Sequence, residues 1–172
     1  MIDLQQRHVQ TGFTLVELVV TVAIVGVLLT LAVPSFRDVF LTTHVRGGAS
    51  DLQTALYFAR SEAIKRACNV DVDPAGSPKK WEMGWTVKLQ NTGGTCDGTV
   101  LRNQNALSDQ LSSMSGATIT YRPDGRLVAQ PASAIVFKTA NAKITARCVI
   151  VDLSGRPAVV SDTDDNPSNG CQ

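Results

Sequence analysis

From Phe13 to Val33 the chain runs 21 residues with one ionisable side chain, Glu17. Fourteen of those residues are Leu, Ile, Val or Phe. As a helix, such a run is long enough to cross a bilayer. Its apolar side chains favour insertion by about 4–8 kcal/mol, against about 3 kcal/mol for one acid near the end. Insertion wins even with Glu17 present. A helix serving a globular core would carry a polar face, and this run has none.

The residues before the run, MIDLQQRHVQTG, are polar. A secretory signal places its small-residue cleavage site after the apolar region. Here the plausible cut lies before it, at Gly12. That cut makes residues 1–12 a leader and leaves Phe13 with a free amine at the membrane edge. Glu17 then stands one helical turn from that amine. A carboxylate in hydrocarbon is tolerated when a positive group pairs with it. The Phe13 amine of the same or a neighbouring chain supplies that partner, which favours assembly over isolation.

Beyond the run, Pro34 is expected to bend or interrupt the helix, because it lacks an N–H and crowds the preceding turn. Gly47-Gly48 is expected to form a second soft joint, at about 1 kcal/mol per Gly relative to Ala. From Asp51 to Ala67 the pattern is helical again. Leu52, Ala55, Leu56, Ala59 and Ala63 fall on one face. Asp51 in the first turn and Lys65 and Arg66 in the last suit the helix dipole. That stripe needs a sheet to cover it. Short Val-, Ile- and Thr-rich pieces follow: CNVDVD, GWTVKLQ, GTVLRN, ATITYR, GRLVAQ, SAIVFK, RCVIVDL and RPAVVS. Pro123–Gly125 and Ser154–Arg156 read as hairpin turns. The expected class is α+β: a long N-terminal helix, apolar for residues 13–33 and amphipathic for 34–67, packed on an antiparallel sheet domain over 68–172.

Four cysteines, Cys68, Cys96, Cys148 and Cys171, all follow the apolar run, and none forms a C-x-x-C pair. An even count beyond a membrane segment suggests disulfides in an oxidising compartment. Three connectivities exist. Cys68–Cys96 with Cys148–Cys171 is favoured, since each closes a loop between neighbouring elements, at about 3 kcal/mol each. The second bond would pin the polar tail SDTDDNPSNGCQ to the sheet.

Catalytic patterns are missing. Of two histidines, His8 falls in the leader and His44 near the membrane surface, so neither a His-based triad nor a His-rich metal site is expected. Phosphate-loop and dinucleotide fingerprints are absent. Ser77–Lys80 matches S-x-x-K by chance, without the companion motifs of that enzyme class. Asp162, Asp164 and Asp165 lack the full calcium-loop pattern and are expected in a solvated loop. No metal, cofactor or enzymatic activity is expected.

The short leader, Gly12, Phe13, Thr14, Leu15 and Glu17, and the apolar helix to Pro34 resemble the class III signal of type IV pilins and type II secretion pseudopilins. LQTALYFARSEAIKR, WEMGWTVKL, ITYRPDGR and the C-terminal SGRP with a last cysteine resemble FimT- and FimU-like minor pilins and GspH-like minor pseudopilins. The resemblance implies a type IV pilin-like fold. It implies that a prepilin peptidase cuts after Gly12 and N-methylates Phe13. It also implies residence in the inner membrane with a periplasmic globular domain, then joining other major and minor pilins in a filament, where Glu17 pairs with the Phe13 amine. Pro34 matches the family's helix-kinking proline. The two proposed disulfides and the FimU-like strands favour a pilus over a secretion pseudopilus.

One branch of this family binds DNA, and there a C-terminal G-R-x-R motif matters. The matching stretch here is Gly155-Arg156-Pro157-Ala158, so Arg156 is the candidate contact and Ala158 replaces the second arginine. A net charge of +1 gives no polyanion signature. Arg126 and Arg147 are possible neighbours of Arg156, Lys79 and Lys80 form another small basic spot, and none makes a stripe. A turn residue laying its stem over the sheet is the expected role of Arg156.

Overall fold

The computed structural model describes residues 13–113, 116–164 and 171; for residues 31–35 it describes the backbone alone. Gly12 and the rest of the expected leader lie outside the described residues, as does Asp165. The chain divides into two compact units, one ending at Asp38 and one beginning at Val39.

Among the described residues a single helix, α1 (Leu15–Arg66), supplies all the helical structure apart from a short 3-10 turn at Trp81–Met83. In the first unit its side chains are exposed from Phe13 to Thr30. Among the residues whose side chains are described, no helical stretch is long and apolar enough to cross a membrane; the described part of the apolar run stops at Thr30.

The helix is unbroken across both expected joints. Neither Pro34 nor Gly47-Gly48 interrupts it. For Gly48 the reason is packing. A Cβ there would meet the Leu107 and Leu111 methyls at 3.0 and 3.4 Å and the Phe137 ring at 3.5 Å. This glycine lets the sheet approach the helix closely, which offsets its low helix propensity.

In the second unit, the predicted stripe Leu52, Ala55, Leu56, Ala59 and Ala63 is buried, and it extends back through Ala49 and Val45 to Leu41. The helix ends at Ala67, whose φ of 54° is the left-handed turn that terminates helices. Near that end, Glu62 is buried, accepts a 2.5 Å bond from Arg66 and lies 3.8 Å from Lys65.

Eight strands follow among the described residues: β1 (Val70–Pro74), β2 (Trp85–Leu89), β3 (Val100–Gln104), β4 (Leu111–Ser113), β5 (Ile119–Tyr121), β6 (Ile135–Thr139), β7 (Arg147–Val151) and β8 (Pro157–Ser161). They form two four-stranded sheets rather than one, ordered β3-β2-β1-β5 and β4-β6-β7-β8. Every pairing is antiparallel. The expected strand in GRLVAQ is reduced to one bridge, Tyr121 to Leu127. Pro131 follows it and has no N–H for a ladder. The stretch after Leu127 instead carries the chain from one sheet to the other.

The period-2 faces are clear. Val70, Val72, Trp85, Val87, Leu89, Ile119 and Tyr121 from the first sheet, with Phe137, Val149 and Val151 from the second, join the helix stripe in one core. The opposite face of the second sheet buries Val136, Ala146 and Cys148, with Cys171 packed on them. Cys68 is bonded to Cys96 and Cys148 to Cys171, at Cα separations of 5.7 and 6.2 Å. The first bond ties the end of α1 to the β2–β3 loop. The second brings Cys171 onto the second sheet.

Candidate functional site

The N-terminal segment begins with Phe13, which is 80% exposed. Thr14 precedes the first helical residue. Its hydroxyl accepts from the Glu17 backbone N–H at 3.2 Å, while the Glu17 carboxylate accepts from the Thr14 backbone N–H at 3.1 Å and from its hydroxyl at 3.0 Å. This is a reciprocal capping box over T-x-x-E, which satisfies N–H groups that a helix start leaves without partners. Both bonds fall on Oε2. Glu17 therefore has a local task besides any ion pair, and Thr14 is a functional residue the charge argument overlooked. The T-x-x-E spacing is its sequence signal.

The second site lies where two turns meet. In the Ser154–Arg156 turn, the Asp152 carboxylate accepts from the Ser154 hydroxyl at 2.5 Å and the Arg156 backbone N–H at 3.3 Å. Those bonds hold the Asp152 carboxyl below its usual range. Gly155 turns at φ 77° and donates to the Asp152 carbonyl at 2.9 Å. In the Pro123–Gly125 turn, Asp124 accepts from the Arg126 N–H at 3.0 Å and lies 3.7 Å from Arg122.

The two turns touch at their glycines: a Cβ on Gly155 would collide with the Gly125 carbonyl oxygen. Leu127 N–H also donates to the Leu153 carbonyl at 3.2 Å. Helix α1 fastens both turns. Arg60 Nε donates to the Gly125 carbonyl at 3.0 Å, and Tyr57 Oη and Gln53 Nε2 donate to the Pro157 carbonyl at 3.2 and 3.3 Å. Beside this junction lies Tyr121, fully buried and without a hydrogen-bond partner for its hydroxyl among the described residues. Burial pushes its phenol well above the ordinary value.

Arg156 is exposed at this junction. The Gly125–Gly155 contact brings the backbone of Arg126, considered from sequence as a neighbour, to the same junction. Arg147 is not a neighbour: it pairs with Phe137 and Ser161 at the other end of β7. The Lys79 and Lys80 spot is not free cationic charge. Lys79 pairs with Asp73, which also accepts from Lys88 at 3.2 Å and Thr118 at 2.7 Å, and Lys80 sits 3.6 Å from Glu82. His44 is exposed on α1.

The tail acids differ from expectation at one position. Asp164 is exposed, but Asp162 is only 1% exposed, and its backbone N–H donates to Ala146 at 3.1 Å. Its carboxylate lies within 4.8 Å of the Cys148 and Cys171 sulfurs. Those sulfurs are bonded to each other, so they are not metal ligands in this state.

Comparison with known proteins places these features. A prokaryotic N-terminal methylation motif matches residues 7–33, and the family described as type II transport protein GspH matches residues 48–155. A fimbrial protein of Pseudomonas aeruginosa is 29% identical over 120 residues, covering 64% of this chain and 77% of that protein. Fimbrial protein Q of Moraxella bovis is 25% identical over 150 residues, covering 83% and 87%. Crystal structures of the type IV minor pilin FimU of Pseudomonas aeruginosa superpose with TM-scores of 0.55 and 0.57 at 16% identity, covering 74% of this chain and 99% and 95% of theirs. At that identity the likeness speaks for the fold, which is type IV pilin-like. With a family match over more than half of its residues, the chain belongs to the GspH family and is a structural subunit of the minor pilin and pseudopilin kind.

Proposed function

We propose that the chain is a minor type IV pilin. Residues 1–12 form a leader that a prepilin peptidase removes after Gly12, and Phe13 becomes the methylated N-terminus. The helix over 13–33 holds the subunit in the inner membrane, with the unit beginning at Val39 in the periplasm. The subunit then joins other pilins at low copy and primes or extends the filament. Its role is structural rather than catalytic.

The observation that carries this reading is the methylation motif over residues 7–33 joined in one chain to the GspH match over 48–155. The capping box adds a physical detail. Both intramolecular bonds to Glu17 use Oε2, which leaves Oε1 for the Phe13 amine of an adjoining subunit. In hydrocarbon that amine stabilises the carboxylate far more than in water.

Intact mass and peptide sequencing of the protein from sheared filaments test it. The expected product begins at N-methyl-Phe13 and is present well below the major subunit. A chain that keeps Met1 in assembling cells would overturn the reading.

A second reading, a minor pseudopilin of type II secretion, is favoured by the description of the matched family. Deleting each machine's assembly ATPase in turn separates the two: the subunit stays in the membrane only when its own machine is missing. DNA capture through Arg156 is a weaker reading, because Asp124 and Asp152 lie in the same pair of turns.

A further inference from the structure

The junction of the two turns has a surface that the fold itself does not use. Arg60, Arg122, Arg126 and Arg156 come from three separate segments and are gathered around the Gly125–Gly155 contact. The acids there are Asp124 and Asp152, and each spends an oxygen on a backbone N–H of its own turn. Four guanidinium charges against two carboxylates leave an excess of two positive charges. Apolar side chains flank them: Ile64 is 53% exposed, Val128 56% and Leu153 51%. Ile64 reaches the space over Gly125, and the hydrogen bond from Leu127 to Leu153 brings the backbone next to Val128 to the same junction as Leu153.

We infer that this junction is a docking face for the globular domain of a neighbouring filament subunit, one that presents acidic side chains set between apolar ones. The inference rests on the proposed filament role and names the surface and its partner's chemistry. Charge complementarity selects the acidic partner. Arginine within exposed apolar surface is the composition of a protein-contact centre. A nucleic acid fits less well. Its affinity comes from clustered cations without intervening acids, whereas here each turn tip carries a carboxylate. A protein partner can meet those carboxylates with donors of its own.

The face is also built rigidly. The helix fastens both turns through Arg60, Tyr57 and Gln53, so little ordering cost arises on contact. The bonds that hold the turns come from these helix side chains, the turn carboxylates and the backbone, and none uses the side chain of Arg126 or Arg156. The Arg126 and Arg156 side chains are therefore available to a partner.

The test is site-specific photo-crosslinking of the full chain in assembling cells. A photoreactive phenylalanine analogue replaces Leu153 in one variant, Phe40 on the exposed helix side in a second, and Val100 on β3 in a third. The expected result is a crosslink from position 153 to another pilin-like subunit through acidic-region peptides, and none from position 100. Arg126→Glu with Arg156→Glu should lower the position-153 yield at least about tenfold. Lys in place of the crosslinked partner's acids should restore it. Position 40 should crosslink in all these backgrounds, which reports folding and assembly.

Position 40 crosslinking while 153 does not would overturn this inference and leave the filament role standing. Silence at both positions, with Met1 retained, would remove the filament role itself. A crosslink from 153 to nucleic acid, or a yield indifferent to charge reversal, would also overturn the docking face.

Discussion

Gly155, in the turn between β7 and β8, lies against the carbonyl oxygen of Gly125, in the turn after β5. The contact joins the two sheets at one point beneath α1. It requires a residue with no Cβ, and at Gly155 the backbone φ of 77° asks for glycine as well. Gly155→Ala should therefore destabilise the protein by about 2–3 kcal/mol, combining left-handed strain with the steric collision. Gly93→Ala is the comparison. Its φ is 92° but nothing lies within 4 Å of its would-be Cβ. It should cost only about 1 kcal/mol. Urea unfolding of the two detergent-solubilised variants measures the gap, and equal losses would mean that the turn contact contributes nothing.

Asp73 predicts how the fold responds to acid. Burial pushes its carboxyl up, but hydrogen bonds from Lys79, Thr118 and Lys88 and the charge of Lys79 outweigh that and hold it below the usual value. The Arg66 hydrogen bond likewise holds Glu62 down. A carboxyl with a depressed folded pKa contributes stability above its unfolded pKa of about 4, and that contribution is lost as pH falls through the folded value. Stability should be flat from neutral pH down to about 5 and then decline. Asp73→Asn should lower the neutral plateau and shallow the acid decline, with Glu62, Asp97 and Asp152, whose carboxyls are also held down, among the groups that supply what remains. An acid limb unchanged by Asp73→Asn would show that this cluster is not what titrates.

The helix stripe and most of the strands could be read from sequence because they are local and periodic. Leu52 through Ala63 recur at helical spacing, and Val70, Val72, Trp85, Val87 and Leu89 alternate. β4 escaped because only Leu111 in it is buried. Its position depends on Ser113, whose hydroxyl accepts from the Trp81 N–H at 2.9 Å while its own N–H donates to Glu82 at 3.0 Å, across 32 and 31 residues. The second sheet and the turn-on-turn contact are equally non-local. At the N-terminus the opposite happened. The T-x-x-E box is a short-range signal, but the long-range charge argument about Glu17 obscured it.

Removing the second disulfide should cost more than an exposed tail would suggest. The bond spans 23 residues and sets Cys171 against the buried Val136, Ala146 and Cys148. Loop closure alone predicts a loss of about 3 kcal/mol for Cys148→Ser with Cys171→Ser. Protease accessibility of the region around Asp162 should rise in parallel, since Asp162 is buried beside the bond. The double variant is better than either single one, which would leave a free thiol. A melting temperature unchanged by the double substitution would rule out a stabilising role for the bond.

Glu17 now has two roles that substitution can separate. As the closing, fourth residue of a capping box it needs only an acceptor, and Gln serves that position. As a partner for the Phe13 amine it needs a negative charge. Glu17→Gln keeps the first and loses the second, and Glu17→Ala loses both. Thr14→Ala removes the hydroxyl side of the box and keeps the charge, at about 1 kcal/mol of helix stability. If charge pairing drives assembly, Gln and Ala should be incorporated into filaments equally poorly, at least about tenfold below wild type, while Thr14→Ala stays near wild type. All three should still enter the membrane: Gln and Ala at position 17 carry no charge into hydrocarbon, and Thr14→Ala keeps the one acid that the apolar run already outweighs. Immunoblotting of sheared filaments against membrane fractions gives the ratio for each variant. Incorporation of Glu17→Gln at the wild-type level would assign Glu17 to capping its own helix and remove the ion pair from the assembly mechanism.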